Sequence, residues 1–493
     1  MAFGMAPAPG WGAEAPKRGG RLAIAADGGS ASDGLDPLLI SGNYLPLVGL
    51  QLHNTLLDIA PNGELTPQLA MEWTPGQDGK RWVFKIRTGV TFHNGKELTA
   101  ADVVYSLNRH RGKDSKSPVR VYFDSVSDIQ ASGKHEVTMS LEAPDADVPY
   151  MMTDYRLAIV ADGVDPNAGV GTGAFVLDSF QPGVRTITRR NDNYWRSDRG
   201  FVDSVETLSI NDPVARLGAL LSGRVHLINK VETSLAVSVE QNPKFKLYNV
   251  PSGSHCIFPM RCDSPPFDNP DLRLALKYAV DRERLLKVVL KGYGQIGNDQ
   301  PIPTYDPFYS ELPQTAYDID KARHHLKKSG FTGTIPMSVA DTAFAGAVAA
   351  AQVIQASASK AGLNIDVVRE PADGYWDNVW MKKPLCASNW SGRPTANLML
   401  SVAYKSDAAW NETAWKRPEF DKILVEARGE LDIGRRREMY HTLQMMIHDD
   451  GGALIPLFNN YLDGASHSLK GFVSMGTFEL SGYRAPEQVW LED

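Results

Sequence analysis

A chain of 493 residues is too long for one hydrophobic core, so two or three domains are expected. Hydrophobic content of 43% and charged content of 22% describe an ordinary globular protein. A formal net charge of −7, with no basic run longer than Arg435-Arg436-Arg437, excludes a nucleic-acid surface, and no apolar run of about 18 residues is present to span a membrane as a helix.

Met1 to Pro16 is rich in Ala, Gly and Pro, and Gly12-Ala13-Glu14-Ala15 has the small-x-small spacing of a signal-peptidase site. It reads as the tail of a secretory signal, so an exported protein is expected. No cysteine lies near that site to take a lipid anchor. Arg21 to Ala25 reads as a first strand. Leu47 to Leu57 carries apolar residues at helical spacing up to a turn at Pro61-Asn62-Gly63. Trp82 to Arg87 alternates as a half-buried strand. Thr99, with Asp102 three residues on, is a capping box opening a helix with Val103, Val104 and Leu107 inward. His93 beside the Asn94-Gly95 turn reads as a structural hydrogen-bonder.

Gly169-Val170-Gly171-Thr172-Gly173 is not a dinucleotide fingerprint, because the last spacing is wrong and a strand follows where a helix N-terminus is needed. Gln181-Pro182-Gly183 closes a hairpin, and Val214 to Leu221 is a short helix. The three cysteines are at 256, 262 and 386. If Ser254 to Cys262 is one strand, Cys256 and Cys262 stand about 20 Å apart, too far for a disulfide. Asp271 to Leu290 reads as one long helix. Ile335–Val339, a helix over 344–361 and a strand over 363–368 make a βαβ unit with a parallel sheet. Ala387 to Trp390 is a later strand ending in Ser391-Gly392-Arg393-Pro394-Thr395. That loop can offer an indole face, backbone donors and one guanidinium to a small ligand.

Four segments carry a family resemblance. They are Phe92-His93-Asn94-Gly95-Lys96 through Leu107, then Gly171-Thr172-Gly173-Ala174-Phe175 with Arg190-Asn191-Asp192-Asn193-Tyr194-Trp195. The others are Pro265-Pro266-Phe267-Asp268-Asn269 through Glu283, and Asp320-Lys321-Ala322 through Phe331. In this order they resemble the periplasmic substrate-binding proteins of ABC importers, in the di-/oligopeptide- and nickel-binding group. The resemblance implies an α/β, two-lobed periplasmic-binding-protein fold (class II type, cluster C) with an extra domain inserted in the first lobe. The implied division is a tail over 1–18, lobe I over 19–52, 171–254 and 468–493, an inserted domain over 53–170, and lobe II over 255–467. The implied partners are a small ligand and the membrane permease subunits, with the binding protein a monomer and no resident cofactor or metal.

No Gly-x-Ser-x-Gly, His-Glu-x-x-His, P-loop or Cys-x-x-Cys is present, so an enzyme is not expected. A metal-dependent hydrolase is the alternative from another class, and a chaperone or chemoreceptor partner a third. Peptide-binding members of the family grip the peptide's α-ammonium with an aspartate shortly after a tryptophan in this loop. Here Arg393 follows Trp390 in that place. Burying an ammonium against a guanidinium costs several kcal/mol, on the order of a buried unpaired charge. The expected ligand is anionic or polyhydroxylated (opine-like, an amino-carboxylate or a metal chelate), with a peptide in a different pose as the alternative. Ligand contacts are expected from Trp390, Ser391, Gly392, Arg393 and Thr395. Family position adds Tyr44, Ser254, His255, Tyr404, Trp410 and Asn411, and a basic loop after the inserted-domain helix adds Arg109 and Arg111.

Overall fold

The computed structural model describes residues 15–492, so the signal-sequence reading falls almost wholly outside the described residues. Two long strands, Phe245–Pro259 and Ala453–Ser466, organise the molecule. They pair antiparallel from Phe245↔Ser466 to Pro259↔Ala453, with the register shifting between Pro251 and His255. Their outer halves join different neighbours in one nine-stranded sheet. On one side lie Leu227–Ile228, then Arg21–Ala26 and Ser204–Ser209 in parallel. On the other lie Ser388–Trp390 and Gly294–Ile296.

Each side builds its own core. Leu22, Ile24, Leu47 and Phe175 pack together in the first lobe. In the second, Phe258, Leu276 and Ile335 form one cluster, and Leu400, Trp415 and Tyr440 another. The parallel pair Thr334–Val339 and Asn364–Arg369, joined by the helix Ala347–Ala358, is the βαβ unit read from the pattern. Between the first-lobe segments a separate four-stranded antiparallel sheet (Ala70–Pro75, Arg81–Ile86, Glu136–Leu141, Val126–Gly133) packs on the helix Ala100–Asn108 around Phe84, Phe92 and Met139. The capping box at its start is formed, Thr99 N donating to Asp102 Oδ2 at 3.0 Å. His93 stitches this domain to the first lobe: its N–H donates to Gly171 O (2.8 Å), and its ring Nε2 meets Gly173 O at 3.1 Å.

Two helices differ from the periodicity. The expected helix over 271–290 is two, Pro270–Ala279 and Arg282–Val289. Val280 is extended, Asp281 caps the second helix, and the Arg282 guanidinium donates to Lys277 O (3.0 Å) and pairs with Asp299 (2.7 Å). A buried cation drawn to these acceptors outweighs continuing the helix. The helix expected over 47–57 is instead Tyr44–Leu52. Leu56 and Leu57 are drawn into the inserted domain's core, where Leu57 opens a strand.

Candidate functional site

The strand Ser388–Trp390 pairs with the first long strand through His255↔Trp390, turning Ser388 and Trp390 inward and Asn389 outward. The backbone then crosses the long strand closely. A Cβ on Gly392 would lie 3.2 Å from Gly253 Cα, and one on Gly253 would meet Tyr305 Oη at 2.7 Å. Only glycine admits that approach at Gly253. Thr395 stops the loop by capping the helix Ala396–Ala403, accepting from Leu398 N at 3.1 Å.

Trp390 is buried, and its Nε1 donates to Glu412 Oε1 (2.6 Å) while Trp380 Nε1 donates to Oε2 (2.5 Å). Burial pushes the Glu412 carboxyl up, and these two indoles oppose it. Over the Trp390 ring, 5.3 Å from its centroid, lies the Arg393 guanidinium. Its Nη1 donates to Ser391 O (3.1 Å), and no carboxylate among the described residues pairs with it. Burial pulls its pKa down, with only the Tyr122 hydroxyl opposing.

Gly392, Arg393 and Pro394 form one wall of a cavity of about 770 Å³. Tyr305 stands beside them, Asp58 to Pro61 and Asp154-Tyr155 come from the inserted domain, and Phe478, Ser481, Arg484 and Trp490 from the C-terminal segment. The wall is rich in aromatic surface. Each acid in it has a guanidinium partner: Asp58 with Arg484 (2.8 Å), Asp154 with Arg156 (3.3 Å), and Asp198 with Arg196 (2.8 Å) and Arg199 (3.0 Å). Part of the wall is a left-handed turn, Leu480, Ser481, Gly482 and Tyr483 having φ of 53°, 59°, 67° and 63°. Such a run costs about 1–2 kcal/mol for each non-glycine residue. It is held by Leu480 N to Asp463 (2.8 Å), Ser481 Oγ to Val473 O (2.5 Å) and Tyr483 Oη to Asn43 (2.6 Å).

Of the residues expected at the ligand, Gly392 and Arg393 line this cavity, and Trp390 carries Arg393 from beneath. Ser391 is exposed at its edge, and the Thr395 hydroxyl is committed to Asp147 at 2.8 Å. The others lie off the cavity wall. Tyr44 is sealed in the first-lobe core, bonded to Thr186 at 2.7 Å. Ser254 Oγ accepts from Asn459 Nδ2 at 3.4 Å. His255 is buried, its Nδ1 meeting Gly253 O at 3.1 Å, and burial pulls its pKa down to about 4. Tyr404 packs in a second-lobe core, Trp410 sits 6.0 Å from Trp390 and half-exposed, and Asn411 staples its own loop by donating to Trp415 O at 2.7 Å. Arg109 pairs with Asp36, and Arg111 donates to Val126 O (2.7 Å) and Ser127 O (2.9 Å). Sequence reading missed Tyr305, Tyr155, Phe478, Arg484 and Trp490. They come from segments far apart in the chain and share no local motif.

Among the described residues no group of three or more His, Cys, Asp or Glu side chains is placed to hold a metal, and no helix is long and apolar enough to cross a membrane. Residues 64–412 match the family model of the bacterial extracellular solute-binding proteins, family 5 Middle. The chain belongs to that family. It is a solute-binding protein of the ABC-importer type and not an enzyme. The dipeptide-binding protein of Escherichia coli (strain K12) is 24% identical over 497 residues, covering 90% of each chain. Among solved structures, HbpA2 from Haemophilus parasuis superposes with a TM-score of 0.85 at 19% identity, over 96% of this chain and 100% of that one. AgaA from A. tumefaciens R10, in complex with agropinic acid, gives 0.75 at 22% identity, over 96% and 99%. The likeness to solved structures carries the two-lobed fold.

Proposed function

We propose that this family 5 protein captures, in the periplasm, a small ligand bearing a carboxylate or phosphate on an apolar or polyhydroxylated body, and delivers it to the permease subunits of an ABC importer. The lobes are those divided at about 52, 170, 254 and 467. The observation that carries the reading is Arg393, a half-buried guanidinium on the cavity wall with no carboxylate partner among the described residues. A charge held this way is stabilised by an anion, and a planar fork suits bidentate capture. The acids of the same wall are already paired with arginines, so none is free to take a peptide's α-ammonium. An opine-like compound, an amino-carboxylate or a chelate with free carboxylates fits this pattern, and the agropinic acid complex of AgaA lends support. The likeness to the dipeptide-binding protein supports a second reading, a peptide held by its carboxylate end.

Native mass spectrometry of protein purified without refolding tests the proposal. An acidic small molecule should be retained by the wild type and lost from Arg393→Ala. Retention of a cationic or neutral ligand, unchanged in Arg393→Ala, would overturn it.

A further inference from the structure

The inserted domain touches the ligand loop from outside the cavity. Between its strand Glu136–Leu141 and its helix Val148–Met151, the chain turns two carboxylates toward the second lobe. Asp147 Oδ2 accepts from Thr395 Oγ1 (2.8 Å), and its Oδ1 takes the Arg436 guanidinium. Asp145 Oδ2 accepts from Arg428 Nε (2.9 Å) and Nη2 (2.6 Å), and Ala146 N donates to Arg428 O at 2.8 Å. Both carboxylates are 1% exposed. The Arg436 guanidinium is itself buried over Phe308 (4.8 Å) and Tyr440 (5.6 Å).

The same domain is fastened to the first lobe by different means. Tyr155 sits in the first-lobe core against Phe478 (5.7 Å) and Tyr483 (5.8 Å), and Asp58 pairs with Arg484. The inserted domain thus bridges both halves: aromatic packing, the Asp58–Arg484 and Arg109–Asp36 pairs and the His93–Gly171 bond hold it to the first lobe, while the buried pairs at Asp145 and Asp147 hold it to the second. Apolar packing tolerates no partial opening, whereas ion pairs regain hydration when exposed. A hinge rotation between the lobes would therefore break at Asp145–Asp147.

We propose that Asp147, seconded by Asp145, is a positioning residue that holds the second lobe shut and fixes the ligand loop through Thr395. Neither carboxylate lines the cavity, so the device acts on closure and loop geometry rather than on ligand contacts. Its consequence for affinity rests on reading 390–395 as the ligand loop. The closure itself does not.

The test needs no added ligand. Spin labels at Val214→Cys in the first lobe and Val288→Cys in the second, both exposed, report the inter-lobe distance in full-length dialysed protein carrying Cys262→Ser. Asp147→Asn should shift the distance distribution to longer values. Thr395→Val should leave the distance nearer the wild type and speed amide exchange over Ala396 to Met399 by about tenfold. If Asp147→Asn does not fold, Arg436→Gln breaks the same pair from the second lobe and reads the same distance. A lower melting temperature with the wild-type distance and exchange would overturn the proposal and leave Asp147 a stabilising residue only. Ligand retention unchanged in Arg393→Ala, with the distance shift intact, would count against the ligand reading alone.

Discussion

Arg484 offers the sharpest test of how the cavity is held together. Its guanidinium joins the C-terminal segment to the inserted domain: Nε pairs with Asp58 at 2.8 Å, Nη2 donates to Thr55 Oγ1 at 3.0 Å, and Nη1 stands 3.8 Å from Glu487. The side chain is 4% exposed and that of Glu487 2%. Burial already pushes the Glu487 carboxyl up, and Arg484 is the largest influence opposing it. Arg484→Met keeps the bulk and removes the charge, leaving half-buried Asp58 without its cation and buried Glu487 with Arg199, 4.0 Å away, in place of the closer Arg484. Such a loss costs about 3–5 kcal/mol. The pH dependence has a definite sign. Without Arg484 the folded-state Glu487 carboxyl rises further above its unfolded value, so the folded variant holds a proton that the unfolded chain releases. The deficit should be full at pH 8 and shrink toward pH 5. Urea midpoints followed by tryptophan fluorescence at both pH values measure it. A deficit below about 1 kcal/mol at pH 8, or one equal at both, would refute the reasoning.

Three further outcomes are expected. Glu412→Gln leaves one of the Trp380 and Trp390 indole N–H groups without an acceptor, so it should lower stability by about 1–3 kcal/mol and change the tryptophan emission of the native state; an unaltered spectrum would contradict the shared clamp. Burial raises the Asp306 carboxyl to about 7. Its stabilising proton is therefore fully held below about pH 4 and lost as pH rises through about 7, and Asp306→Asn should gain roughly 2–3 kcal/mol on the wild type between pH 5 and 7.5 in paired melts. A gain independent of pH would rule out that titration. Tyr44→Phe removes the bond to Thr186, so it should cost about 1 kcal/mol in urea unfolding and leave the ligand retained in native mass spectrometry unchanged.

What the sequence by itself determined is what neighbouring residues decide among themselves. Thr99 and Asp102 cap a helix, Gln181-Pro182-Gly183 turns a hairpin, and the 334–369 stretch folds as strand, helix and parallel strand, because each depends on spacing within one or two turns of chain. The loop at 391–395 was legible for the same reason as a turn at a strand end, because Gly392 and Pro394 follow Trp390 directly. Val280 broke an expected helix because Arg282 is drawn to Lys277 O and Asp299, which no period reveals. The tertiary structure alone decided that Arg109 and Tyr44 are spent on internal partners, and that Tyr305, Phe478 and Trp490 complete the cavity. It also decided that Asp147 meets Thr395 across 248 positions. Side chains that far apart in the chain acquire a role only when packing removes water and leaves them one another as partners.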